Sequence, residues 1–256
     1  MLASLTAGAL EDAARRREIV SFADVEAAAL AMPAALDALH ALRATDQVKV
    51  IAEVKRASPS RGDLSAIEDP AALARIYAAH GASAISVLTE ERKFKGSLAD
   101  LRAVRAAVSV PVLRKDFIAE EYQILEARAA GADIVLLIVA ALDQATLSRL
   151  NAFSLDLGLT VLVETHSREE LHRALEIDAK LLGVNARNLS TFELDRELFG
   201  QLAHEIPSGV IKVAESAVRS AEDVAHYRSA GADVVLVGEA LVTSDPAHTL
   251  QSFLAV

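Results

Sequence analysis

The 256-residue chain contains no cysteine, which excludes a disulfide framework, a zinc–thiolate centre and a thiol nucleophile. Its 11 glycines and 6 prolines are too few for a collagen-like or disordered chain. Basic residues are in the minority. The 26 Lys and Arg against 36 Asp and Glu leave a net charge of -10, the wrong sign for a general nucleic-acid binder, which needs a basic surface for phosphates. Long apolar runs are missing too. The most apolar stretch, "ADIVLLIVAAL" (132–142), falls short of the roughly 20 residues that span a bilayer. The start, "MLASLTAGALEDAARRRE", has no basic n-region and meets charge at Glu11, so no signal peptide is expected. A G-x-G-x-x-G loop, a G-x-S-x-G elbow and a Walker loop are all absent. These absences predict a soluble, acidic, cytoplasmic protein with no nucleic-acid or membrane partner.

What is present is a core and a repeat. Apolar residues make up 52%, and the length suits one large domain or two small ones. Three segments look alike: "AHGASAISVL" (79–88), "AAGADIVLLI" (129–138) and "SAGADVVLVG" (229–238). In each, a helical pattern stops at a glycine suited to a left-handed C-terminal position, and a branched apolar run follows as a strand. The glycines fall at 81, 131 and 231, and a weaker copy, "IDAKLLGVNA" (177–186), stands near the missing place. Four further strands, 48–55, 110–117, 159–166 and 210–216, interleave with these. Eight strands alternating with helical patterns at about 25 residues per unit predict a (β/α)8 barrel, a TIM barrel. An open doubly wound sheet fits the regular repeat less well. Residues 1–46 read as a helical N-terminal extension, with Ser21 as an N-cap and Pro33 as a break, folded against the barrel in one domain.

In such a barrel alternate strand residues point inward, and active sites gather at the C-terminal strand ends. Inward parity selects Ile51, Glu53 and Lys55 from strand 1 and Leu113 and Lys115 from strand 3. It selects Leu162 and Glu164 from strand 5, Leu181, Gly183 and Asn185 from strand 6, and Val213 and Glu215 from strand 7. One strand-end charge often just meets solvent. Two lysines, three glutamates and an asparagine on one rim point instead to a working site. Lys49, Arg114 and Lys212 are placed on outward faces as structural residues. His166 lies near the rim without metal-spaced partners and is read as structural, with no metal expected. After strands 7 and 8, Ser216, Ala217 and Gly238 stand at turns that open helices. Their backbone N–H groups, with that of Glu239, form a candidate phosphate site. The loop "KRASPSRGDLS" (55–65) is long for a βα connection and is expected to be a mobile lid. The Arg61-Gly62-Asp63 tripeptide within it is read as coincidence.

Across nearly the whole chain these residues resemble the indole-3-glycerol phosphate synthase family. The motifs "IAEVKRASPSRG", "SVLTEERKFKGSLADL", "PVLRKDFI", "LVETHS", "GVNARNL", "AES" and "LVGEALV" follow in family order. The resemblance implies ring closure on 1-(2-carboxyphenylamino)-1-deoxyribulose 5-phosphate, with release of CO2 and water and no cofactor. It implies that Lys115 is the general acid of ring closure and Glu164 the acid/base of dehydration. Lys55 is the second lysine, between substrate carboxylate and leaving hydroxyl, with Glu53 its neighbour. Asn185, Ser216 and Arg187 position the substrate with support from Glu215, and Ser58, Phe94 and Phe117 line the anthranilate end. It also implies a monomer, at most weakly associated with other enzymes of tryptophan biosynthesis. One departure stands out: the family reads "ESGI" or "ESGV" where this chain has "ESAV", with Ala217 in the glycine's place. The rival readings are another phosphate-binding barrel isomerase of tryptophan or histidine biosynthesis, which would use a cysteine or aspartate pair, and a barrel kept as a non-catalytic scaffold.

Overall fold

The computed structural model describes residues 1–256 other than 189, 190 and 192. Eight parallel strands close into a barrel: β1 Lys49–Val54, β2 Ala84–Leu88, β3 Val112–Lys115, β4 Ile134–Ile138, β5 Thr160–Thr165, β6 Leu181–Asn185, β7 Ile211–Glu215 and β8 Val234–Val237. Each pairs with its neighbours in sequence, and β8 closes on β1 through Lys49↔Val234 to Ala52↔Val237. Three helices precede the barrel: α1 Leu2–Ile19, α2 Phe22–Leu30 and α3 Ala38–Leu42. The outer ring is α4 Pro70–Ala79, α5 Leu98–Ala107, α6 Glu121–Ala129, α7 Gln144–Asp156, α8 Arg168–Glu176, α9 Leu198–Ala203, α10 Ala221–Ser229, α11 Glu239–Val242 and α12 Pro246–Leu254. No helix among the described residues is long and apolar enough to cross a membrane.

Local chemistry sets the ends of these elements. Side chains of Asp69, Ser97, Asp143 and Ser167 each accept a backbone N–H of the first turn of the helix that follows, which satisfies a donor the helix leaves open. At the other end Gly81, Gly131 and Gly231 have φ of +100°, +88° and +97°, as the repeat requires. In the weaker copy the same place, three residues before the strand, is taken by Asp178 at φ +57°, a residue type that tolerates this region.

Strand alternation then sorts the side chains. Val48, Val50, Ala52 and Val54 pack into the layer between barrel and helices, while Ile51 joins Leu113, Ile134, Leu162, Leu181, Val213 and Val234 inside the barrel. Lys49 corrects its expected placement. It alternates with Ile51 and Glu53 and so falls on the inward parity, at the bottom of β1. Arg114 is outward as expected and fully buried, bonded to Asp116, Thr89 and the Gln123 carbonyl.

The extension reaches both ends of the barrel. Leu5 and Ala9 of α1 and Ala38 and Leu42 of α3 belong to the interior cluster. The Leu36 N–H donates to Asp133 Oδ1 at 2.8 Å, and Arg16 Nη2 donates to Glu126 Oε2 at 2.8 Å. After the break at Pro33 the chain stays non-helical until Ala38, where Asp37 takes the N-cap and accepts the His40 N–H.

Residues 55–65 form a small hairpin, Ala57–Ser58 against Gly62–Asp63. Polar ties hold it at the rim: Arg56 to the Ile67 carbonyl at 3.0 Å, Arg61 Nε to Glu239 Oε1 at 2.9 Å and Lys95 to Asp63.

Candidate active site

The C-terminal mouth of the barrel encloses a cavity of about 680 Å3, and all fourteen residues selected from the sequence line it. They divide into a charged floor, an aromatic wall and a polar wall.

The floor is made by odd-numbered strands. Lys115, at the end of β3, places Nζ 2.8 Å from Glu164 Oε2 of β5 and 2.7 Å from Glu215 Oε2 of β7. On β1, Glu53 Oε1 lies 2.9 Å from Lys55 Nζ, and Ser86 Oγ donates to the other Glu53 oxygen at 3.2 Å. The side chains of Glu164 and Glu215 are each only 2% exposed, so unpaired charges here would be costly. Burial alone would favour a neutral Lys115, but the carboxylates of Glu164, Glu215 and Glu53 outweigh it and raise the lysine. Burial pushes Glu215 up to about 8, with Glu164 adding to the shift and Lys115 opposing it. Glu164 goes the other way: burial would raise it, yet Lys115 and His166 hold it well below the usual range.

Two glycines make room for this floor. A Cβ on Gly183 would lie 2.1 Å from Glu215 Oε1, and one on Gly238 would lie 2.5 Å from Glu53 Oε1. Both contacts are tighter than any side chain tolerates, so each glycine lets backbone sit directly on a carboxylate.

The aromatic wall is Phe94 and Phe117, with ring centroids 6.1 Å apart. The loop carrying Phe94 is fastened by Glu90, whose carboxylate accepts the N–H groups of Arg92, Lys93 and Phe94 at 3.1, 2.7 and 2.8 Å. Phe117 N–H donates to Asp116 Oδ1 at 2.8 Å. Leu5 of α1, Leu136 and Ile138 extend the apolar lining. Alternation from Ile134 could have found the last two; Leu5 depends on how α1 docks.

On the polar wall Ser216 Oγ donates to Asn185 Oδ1 at 2.7 Å, and the Arg187 N–H donates to the same oxygen at 3.0 Å. Ser216 and Ala217 are both left-handed, at φ +68° and +58°, a costly region for residues with a Cβ. Gly238 precedes the one-turn helix α11. Glu239 lines the cavity, and its carboxylate accepts from Arg61. Ser58 sits in the hairpin beside the rim. The last residue of the "GVNARNL" motif lies outside the described residues.

A lysine gripped by carboxylates and an aromatic pair thus share one cavity with the left-handed Ser216–Ala217 turn and the start of α11. The family model described as indole-3-glycerol phosphate synthase matches residues 2–253. The chain belongs to the indole-3-glycerol phosphate synthase family. It is 69% identical over 256 residues to the indole-3-glycerol phosphate synthase of Leifsonia xyli subsp. xyli, covering 100% of this chain and 98% of that one. To the protein of the same name from Mycolicibacterium gilvum it is 59% identical over 247 residues, 96% of this chain and 90% of that one. Among solved structures, a thiamine phosphate pyrophosphorylase from Pyrococcus furiosus is similar in fold alone. The TM-score is 0.61 at 14% identity, over 80% of this chain and 93% of the other.

Proposed function

We propose that the chain converts 1-(2-carboxyphenylamino)-1-deoxyribulose 5-phosphate to indole-3-glycerol phosphate, CO2 and water, as a carboxy-lyase of tryptophan biosynthesis. The observation that carries this reading is the Lys115 ammonium held between Glu164 and Glu215, beside the Glu53–Lys55 pair, in one cavity. The aryl ring lies against Phe94 and Phe117. The phosphate rests on the backbone N–H groups around Ser216–Ala217 and Gly238–Glu239, where local dipoles favour an anion.

The aryl carbon that bears the carboxylate attacks the C2 carbonyl, and Lys115 gives its proton to the carbonyl oxygen as the C–C bond forms. The C–CO2 bond then breaks, its electron pair restores the aromatic ring, and CO2 departs. Lys55 protonates the hydroxyl, which leaves as water, and Glu164 takes the neighbouring C–H proton to complete the double bond. Two protons are given and one is recovered, so each turnover draws one proton from solvent. That balances the loss of a carboxylate as neutral CO2. Asn185 and Ser216 fix the polar edge of the substrate together with Arg187, and Glu215 supports Lys115. The whole chain works as one domain, a monomer in the cytoplasm. Formation of indole-3-glycerol phosphate from the carboxyphenylamino substrate by purified protein tests the reading; substrate that binds but stays unchanged would favour a scaffold instead.

A further inference from the structure

Behind Glu164 stands a histidine to which the ring-closure scheme gives no task. His166 follows β5, and its side chain is 11% exposed. Nε2 lies 3.2 Å from Glu164 Oε1, and Nδ1 lies 3.1 Å from Glu170 Oε2 in the first turn of α8. Glu170 is itself fixed. It accepts the His166 backbone N–H at 2.8 Å, and its own N–H is capped by Ser167 Oγ at 3.2 Å. A ring that faces a carboxylate at each nitrogen satisfies both only as an imidazolium, since the neutral ring has one donor. The Nε2 contact to Glu164 is close but not aligned as a hydrogen bond, so charge rather than a directed bond joins the two.

We infer that His166 is a positioning residue: it keeps Glu164 ionised and turned toward Lys115, while Glu170 anchors the ring. The inference rests on the proposed reaction for its purpose. When Lys115 gives its proton to the carbonyl oxygen, Glu164 loses its cation and is left as a lone buried carboxylate, which burial drives to take up a proton. A second cation that does not enter the chemistry keeps Glu164 a base until the C–H proton must be removed. The groups that bear on the ring are Glu164 from β5 and Glu170 from α8. Lys115 and Glu215 act through Glu164, and Glu193 and Asp195 line the smaller cavity that His166 shares. Burial works against the ring's charge, yet Glu164 and Glu170 outweigh it and push His166 up to about 10.

The test uses full-length wild type, His166→Gln and Glu170→Gln. It combines ring titrations by NMR on ligand-free protein with kcat and KM measured from acid to alkaline pH. The wild-type ring is expected to stay protonated well above neutrality, and in Glu170→Gln it titrates at lower pH. His166→Gln is expected to leave KM within about twofold while kcat below neutrality falls about tenfold or more, recovering as pH rises. In Glu170→Gln the loss of kcat follows the ring's own titration. A His166→Gln pH profile that overlays the wild type, or a wild-type ring that titrates near its ordinary value of 6.5, overturns the inference. Lack of wild-type turnover would instead defeat the proposed reaction, and the ring titration would still decide the coupling of His166 to Glu164. Should His166→Gln fail to fold, Glu170→Gln carries the test.

Discussion

The two ends of the barrel interior are built from the same strands to opposite specifications. Toward the bottom, Ile51, Leu113, Leu162 and Val213 close a fully buried apolar layer. Two residues further along each of these strands, Glu53, Lys115, Glu164 and Glu215 form a layer in which every side chain can carry a charge. The step between them is about two residues of rise, roughly 7 Å. The apolar layer contributes stability by leaving water; the charged layer contributes little net stability and holds groups that can act. Substitutions in the two layers should therefore fail in different ways.

The largest effect is expected from Lys115→Ala. Turnover should fall by about 10²–10⁴-fold, while circular dichroism and cooperative melting show a folded barrel. Near-normal turnover in a fully substituted sample would remove Lys115 from the mechanism.

Leu162→Ala is the converse, one layer down on β5. It should cost about 2–5 kcal/mol of stability by denaturant unfolding, with turnover per folded molecule within a few-fold of wild type. A large loss of turnover at little cost in stability would erase the distinction between the layers.

Ala217→Gly is a finer probe of the charged end. Residue 217 is left-handed, so glycine should relieve strain of about 1 kcal/mol. Melting temperature and inorganic phosphate affinity should rise together. A fall in both would show that the turn gains nothing from glycine.

The smallest effect is expected at the rim. The 57–63 hairpin is held mainly by polar ties, of which Arg61–Glu239 and Lys95–Asp63 are exposed, and such pairs contribute little. Amide exchange of residues 56–64 should be fast without ligand and slow with a substrate analogue, unlike β5 below. Strong protection in both states would rule out a lid.

The contrast between layers also marks what could be read from sequence. Alternation carries the top of β1 correctly, since Ile51, Glu53 and Lys55 share one parity. Lys49 obeys the same period and belongs with them, at the bottom of the strand. The repeat placed the strands because each copy carries its own stop signal, and even the copy without glycine keeps a residue able to turn left-handed at Asp178. What could not be read depends on docking between distant segments. Leu5 reaches the mouth only because α1 packs across it. The hairpin in the β1 loop needs Ala57 to meet Asp63, which local pattern does not announce. The grip of Glu170 on His166 had a faint signal: Ser167 with Glu170 three residues later is a capping-box pattern. The carboxylate bonds one residue earlier than that pattern implies.

The charged layer has a consequence for how the chain assembles. Lys115 belongs to the first half of the barrel, and both carboxylates that hold it, Glu164 and Glu215, belong to the second. Neither half can satisfy the layer alone. A chain in which β1 to β4 had formed without β5 to β7 would leave the Lys115 ammonium without either carboxylate it bonds, with only Glu53 of β1 acting on it. In reverse, both glutamates would lack Lys115, and Glu164 would keep only His166 beside it. Closing the barrel over these charges without their partners would cost several kcal/mol. The charged floor is therefore fully paired only when both halves of the ring are in place.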